Sequence, residues 1–229
     1  MRIDDLNWMD VEEYLKTDDR LILILGACEQ HGYLSLMTDI KIPVSLADAA
    51  SQHSAVLVAP PINFGSSPYF IAYPGTFSLR LSTLMDAVED IVISAHAQGF
   101  RRILVLNGHG GNTGVKTRLT ELATKLEGLK FQWYAWWLSH SVEEVCIRHG
   151  IKPAHANWLE AFPFTKVSEL PGEDKIPPMV PSEILDAATT RKVYGDGSFG
   201  GPYSVSEEIM EEIFSAALQD ILSLLKFES

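Results

Sequence analysis

Two short apolar runs constrain this chain most: Leu21-Ile-Leu-Ile-Leu25 and Arg102-Ile-Leu-Val-Leu-Asn107. Each is brief, rich in branched aliphatic residues and followed directly by glycine. An apolar run without polar alternation belongs to a strand buried on both faces, the usual condition inside a parallel sheet. Val56-Leu-Val-Ala59, stopped by Pro60-Pro61, reads as a further buried strand, and the aromatic run Phe131 to Trp137 as another. Helical spacing lies between them. Leu84, Met85, Val88, Ile91, Val92 and Ala95 predict a helix from Leu81 to Gly99, with Ser82 as N-cap and Gly99 as the C-terminal stop.

Other helices are expected over residues 8–16, 43–53, 114–126, 141–149 and 206–226, and an acidic, Pro-rich surface excursion over 171–181. Strands alternating with helices predict an α/β fold: three α/β/α layers around a mainly parallel central sheet, with residues 1–229 as a single domain. In such folds ligands sit beyond the carboxyl ends of the strands.

Both central runs lead into residues that can bind metal. The first continues as Gly26-Ala-Cys-Glu29-Gln-His31-Gly32 and closes at Thr38-Asp39. Glu29 and His31 are two residues apart, so on extended backbone their side chains leave from the same side. The second continues as Gly108-His109-Gly110-Gly111-Asn112, where flanking glycines let the backbone approach closely. Carboxylates and imidazoles gathered at strand ends are the parts of a divalent-metal site. Alone, Glu29 and Asp39 could equally be surface carboxylates and His31 a turn cap; His109 in its glycine setting tips the balance toward metal. A glycine-rich turn after a strand can instead cradle a phosphate, as in a nucleotide-binding module, but no Lys follows and the spacing fits no phosphate fingerprint. A further cluster, His155-Ala-Asn-Trp-Leu-Glu160, is weak by itself. On a helix its two donors would point about 140° apart, an objection that loop backbone removes.

Composition excludes several classes. The formal net charge is −12 and no basic cluster exceeds Arg101-Arg102, which argues against nucleic-acid and anionic-membrane partners. No apolar run reaches the roughly 20 residues a membrane span needs. Two cysteines, Cys28 and Cys146, form no disulfide framework, and the acidic N-terminus does not read as an export signal, so a cytoplasmic location is expected.

Taken together, Glu29-Gln-His-Gly32 with Thr38-Asp39, Tyr73-Pro-Gly-Thr76, Asn107-Gly-His-Gly-Gly-Asn112, and His155-Ala with Glu160 resemble the creatininase (creatinine amidohydrolase) family in order and approximate spacing. The resemblance runs from the first helix to the Gly195-Asp-Gly197 turn. It implies a dinuclear centre of two divalent ions held by Glu29, His31, Asp39, His109 and Glu160, with Asp39 bridging and His155 in proton transfer. Such a pair of ions would activate a bridging water to hydroxide, for hydrolysis of a C–N bond in an amide or cyclic amide. Mixed imidazole and carboxylate donors suit Zn, Mn or Fe(II). A small-molecule substrate and a homohexamer are further expectations, with Tyr33, Thr76, Gly110 and Trp158 near the substrate. Trp136 and Trp137 could also wall the pocket, though core or interface positions are favoured for them.

This chain departs from the family pattern in ways that bear on substrate. The family loop Gly-Pro-His-Leu-Pro-Leu is replaced by Gly32 and Tyr33-Leu-Ser-Leu-Met37; Phe70 stands where a histidine is common; Gly111 replaces an acidic residue; and Asn157-Trp158 replaces a Gly-Glu pair. These changes leave the metal donors intact and alter the pocket, so creatinine is not the expected substrate. The alternative chemistry with the same centre is opening of a ring ketone or lactone in sugar or inositol metabolism.

Overall fold

The computed structural model describes residues 1–228. Four strands, β1 (Arg20–Leu25), β2 (Leu57–Val58), β3 (Arg102–Asn107) and β4 (Lys130–Ala135), form one sheet in the order β2-β1-β3-β4, with every neighbouring pair parallel. Both central strands are buried along almost their whole length, which is why their sequences are apolar without alternation. Alternate side chains feed two cores. Ile22, Ile24, Leu104 and Leu106 pack into one; Leu21, Leu23, Leu25, Ile103 and Val105 into the other.

The first core is closed by α2 (Thr38–Ser54), α5 (His140–Arg148) and α7 (Glu207–Leu224), the second by α3 (Leu81–Gln98) and α4 (Val115–Lys125), with α1 (Trp8–Tyr14) at its edge. The expected three α/β/α layers are therefore present. From β1 the chain passes through α2 to β2 on one side; from β3 it passes through α4 to β4 on the other. The chain thus diverges between β1 and β3, the place where open parallel sheets leave a crevice at their carboxyl ends. Leu25 pairs with Asn107, and the Gly108 N–H donates to the Leu25 carbonyl at 2.7 Å. The two donor-bearing loops consequently start side by side.

Several boundaries differ from expectation. The helix expected over 43–53 begins at Thr38, so Asp39 belongs to its first turn, and Pro43 lies inside it. Proline has no N–H to give the carbonyl four residues earlier, which leaves the Asp39 carbonyl outside the helical ladder. The strand ends pack on that carbonyl: a Cβ on Gly108 would run into it, and one on Gly26 would come within 2.5 Å. Helix α3 is preceded by Arg80 in extended conformation and has no side-chain cap, so Ser82 does not serve as N-cap; Gly99 does end it, at φ 117°. An additional helix, α6 (Ala187–Tyr194), starts at Asp186, whose side chain accepts from Thr189 N–H at 2.7 Å.

Candidate metal centre

Each donor reaches the crevice by its own local device. Glu29 and His31 ride on the extended continuation of β1, held by Glu29 N–H to the Leu36 carbonyl (2.9 Å) and Gln30 N–H to Thr76 Oγ1 (3.0 Å). Asp39 projects from the first turn of α2. His109 follows Gly108 at the end of β3, where Asn107 donates from Nδ2 to the His109 carbonyl at 2.7 Å. Asn112 ties this loop to its neighbours, donating to the Gly26 carbonyl (3.1 Å) and accepting from Ser66 N–H (3.2 Å). Glu160 ends a 3-10 turn, Trp158–Glu160, capped by Asn157. Ala156, at φ 54°, breaks any continuous helix between His155 and Glu160. Its N–H donates to Glu160 Oε2 at 2.7 Å, which leaves Oε1 facing inward.

The donors converge on Asp39. Its Oδ1 lies 3.0 Å from His31 Nε2, and its Oδ2 lies 2.9 Å from His109 Nδ1. Glu160 Oε1 is 3.5 Å from His31 Nε2, and Glu29 Oε2 is 3.5 Å from His109 Nε2. Glu29–Asp39–His109 and His31–Asp39–Glu160 each offer three donor atoms within 4.8 Å of one another, and Glu29–His31–His155 forms a third such group. Among the described residues, the buried atoms Glu29 Oε2, His31 Nε2 and Asp39 Oδ2 have no hydrogen-bond partner. Buried polar atoms are costly to leave unpaired, and three in one place are what a cation would satisfy.

The histidine tautomers fit the same reading. His31 donates from Nδ1 to the Glu29 carbonyl (3.0 Å), and His109 from Nε2 to the Ser66 carbonyl (2.9 Å). A backbone acceptor on one ring nitrogen leaves the other with its lone pair directed at the crevice, the usual arrangement behind a metal-binding imidazole. The residues present therefore fit divalent cations.

Burial and mutual charge set the titration of the metal-free cluster. Burial, with the charge of Asp39 adding to it, lifts Glu29 to about 7. For Asp39 burial acts in the same direction, but His31 and His109 outweigh it and hold the carboxyl low. Burial would lower His109, yet Glu29 and Asp39 raise it to about 9; His31 is raised in the same way by Asp39 and Glu160. His155 is lowered to about 4 by burial and by the neighbouring His31. It is thus a neutral imidazole beside a charged cluster.

A family model described as creatininase, creatinine amidohydrolase, matches residues 4–225. The chain belongs to the creatininase family. The curated creatinine amidohydrolase of Pseudomonas putida is 28% identical over 132 residues, covering 52% of this chain and 51% of the relative. The mycofactocin precursor peptide peptidase of Mycobacterium tuberculosis (strain ATCC 25618 / H37Rv) is 33% identical over 128 residues, covering 51% and 50%. In these alignments the chain spans about half the length of the curated relatives. A solved structure titled "Creatininase Mn" superposes with a TM-score of 0.81 at 22% identity, covering 98% of this chain and 97% of the other, which shows a shared fold.

Of the residues expected near substrate, only Gly110 lines the cavity above the candidate centre, with open space where a side chain would begin. Three expectations are corrected. Trp158 is fully enclosed in the core, its indole N–H donating to the Lys152 carbonyl at 2.9 Å. Thr76 is buried beneath the Glu29–His31 strand, where its hydroxyl serves the Gln30 backbone. Tyr33 packs edge-on against Tyr203, away from the cavity lining. Trp136 is core, as favoured, whereas Trp137 lines the cavity. Gly108 and Gly111 serve close backbone packing, since a Cβ on Gly108 meets the Asp39 carbonyl and one on Gly111 meets the Ser66 carbonyl.

Gln30 and Phe199 were not anticipated. The Gln30 side chain, within the first motif, donates to His155 Nε2 at 2.8 Å, and Phe199 lies beside the same ring, 5.0 Å between centroids. The position of Gln30 between two candidate ligands was its only mark in the sequence; Phe199 had none.

Proposed function

We propose that this chain is a metal-dependent hydrolase of the creatininase family that cleaves a C–N bond in a small amide. The observation carrying the proposal is the Asp39 carboxylate, whose two oxygens face His31 and His109 separately. Glu29, Asp39 and His109 would hold one divalent cation, and His31, Asp39 and Glu160 a second. When bound, Zn, Mn or Fe(II) there would polarise the scissile carbonyl and bring the pKa of water near neutrality.

The chain's own residues supply proton handling and enclosure. His155 is neutral, and its Nε2 carries a lone pair because it accepts from the Gln30 amide. In that tautomer the ring carries its proton on Nδ1, gives it to the departing amine nitrogen, and has it replaced by the proton released by the attacking nucleophile. Phe70 stacks on His155 at 4.7 Å with 10° between ring planes and fixes the imidazole orientation. Phe70, Phe199 and Trp137 keep water from the rest of the cavity. The names of two curated relatives, an amidohydrolase and a peptide peptidase, support amide-type bonds.

Exposed apolar side chains such as Ile176, Met179 and Ile184 support the expectation of a homo-oligomer. The functional test is a panel of amides, lactones and carbocyclic diketones offered to metal-loaded protein. Amide turnover that falls at least a hundredfold in His155→Ala, with metal content retained, is the expected result. Turnover of lactones or diketones with none of amides overturns the reading.

A further inference from the structure

Resting on the metal-hydrolase reading, we infer that the cavity selects an amide carrying an uncharged aromatic or bulky apolar group, rather than one bearing an anionic group. The cavity above the candidate centre measures about 470 Å³. Its titratable groups near the metal donors, Glu29, Asp39, His109, His155 and Glu160, all belong to the candidate centre. Apart from Ser66 and Ser67 beside His109, the remaining wall is mostly apolar and aromatic, with Tyr69, Phe70, Trp137, Leu138, Pro153 and Phe199. Among the described residues, no Lys or Arg contributes to the lining.

A carboxylate or phosphate placed against this wall would lose its hydration without gaining an opposite charge. That loss is one of the largest penalties a binding site can impose. A phenyl ring, by contrast, would exchange water for aromatic surface.

The wall is preformed. Phe70 is buried and held against His155, and Phe199 stacks on Tyr194 at 4.2 Å with 20° between ring planes. Arg191 on α6 braces the loop that follows Phe70 by donating to the Ala72 carbonyl at 2.8 Å. Only the mouth is open: Tyr69 is 53% and Leu138 73% exposed, apolar surface that a bound ring would cover.

Three hydroxamates that chelate divalent cations through the same head group separate the possibilities. Binding of acetohydroxamate, benzohydroxamate and 4-carboxybenzohydroxamate to Zn-loaded protein would be measured by titration calorimetry and by tryptophan fluorescence. Burying a phenyl ring predicts that benzohydroxamate binds on the order of ten- to a hundredfold tighter than acetohydroxamate. The para-carboxylate should erase that gain. Phe70→Leu and Trp137→Ala should each shrink the phenyl advantage, read as the ratio of benzohydroxamate to acetohydroxamate affinity, severalfold. Equal affinity for acetohydroxamate and benzohydroxamate, or tightest binding of the carboxylated ring, overturns the substrate class but leaves the metal centre standing. If none of the three binds, the metal-hydrolase reading falls and this inference with it.

Discussion

Nε2 of His31 lies 3.0 Å from Oδ1 of Asp39, yet no hydrogen bond joins them. Their contact distance without hydrogen-bond alignment means that both atoms face a common point. The opposite carboxylate oxygen has the same relation to His109. A single side chain on the first turn of α2 therefore links two donor groups.

Removal of that side chain separates the shared ligand from the others. Asp39→Ala should weaken binding of both cations by more than the hundredfold typical of losing an outer-shell partner. Glu160→Ala should weaken one and leave the Glu29–Asp39–His109 group occupied. Elemental analysis after dialysis against a weak chelator checks this: close to zero equivalents in the first variant and close to one in the second. Retention of two equivalents by Asp39→Ala would contradict the shared role.

In the proposed reaction Gln30 would act only through His155, the ring its amide contacts. Its amide orientation is fixed from both ends, with Oε1 accepting from Gly32 N–H at 3.1 Å and Nε2 donating to the Gly197 carbonyl at 3.2 Å. The same Nε2 must then donate to His155, which sets the imidazole as the Nδ1–H tautomer. Nitrogen NMR of the Zn-loaded protein should show that tautomer. Gln30→Leu should lower kcat about tenfold to a hundredfold with KM nearly unchanged, the signature of a positioning role. An Nε2–H tautomer in the unsubstituted protein would refute the assignment.

Gly108 permits the approach of β3 to α2. A methyl group at this position collides with the Asp39 carbonyl and lies 2.8 Å from Pro43 Cγ. Gly108→Ala should cost about 1–3 kcal/mol of stability through overpacking, and it should also loosen Asp39. Thermal denaturation of the metal-free protein measures the first effect; an unchanged midpoint would show that the helix shifts without penalty.

Stability should fall at both pH extremes through groups remote from the metal site. Burial opposes ionisation of Asp18 and Asp196, but Arg20 with Arg102, and Lys175 with Tyr203, outweigh it and depress both pKa values. Their contribution is present above the unfolded carboxylate value near 4 and is lost as pH drops through the lower folded values. Burial raises Tyr14, Tyr134 and Tyr203 well above the ordinary phenol value. Their contribution is complete below about pH 10 and disappears as pH rises toward the folded values. Urea midpoints between pH 2 and pH 12 should trace a plateau with two flanks. An Asp196→Asn variant should flatten part of the acid flank, and a variant profile identical to that of the unsubstituted protein would assign the flank elsewhere.

The sheet was legible because β1 and β3 are buried on both faces and their sequences carry nothing else. Glu29, His31 and His109 were legible for a related reason, since they directly follow those strands. Asp39 was recognised as a candidate, but its element was not: Pro43 suggested a helix start, whereas it interrupts the ladder inside a helix already begun. Helix α6 escaped notice because it is short and mostly polar, although Asp186 and Gly195 mark its ends. The substrate-side residues were the least legible. Trp158 and Tyr33 sit close in sequence to metal-type residues, but chain direction at Ala156 and Gly32, both at positive φ, turns neighbours toward different surroundings. Sequence proximity says little about which way a loop side chain faces.

The most direct measurement is anomalous diffraction from crystals soaked in Mn or Zn, with data collected at the metal edge. The account predicts two peaks per chain, one among His31, Asp39 and Glu160, the other among Glu29, Asp39 and His109, each about 2.0–2.2 Å from an Asp39 oxygen. The absence of any peak in the crevice, or a single peak that Asp39 does not touch, would contradict it.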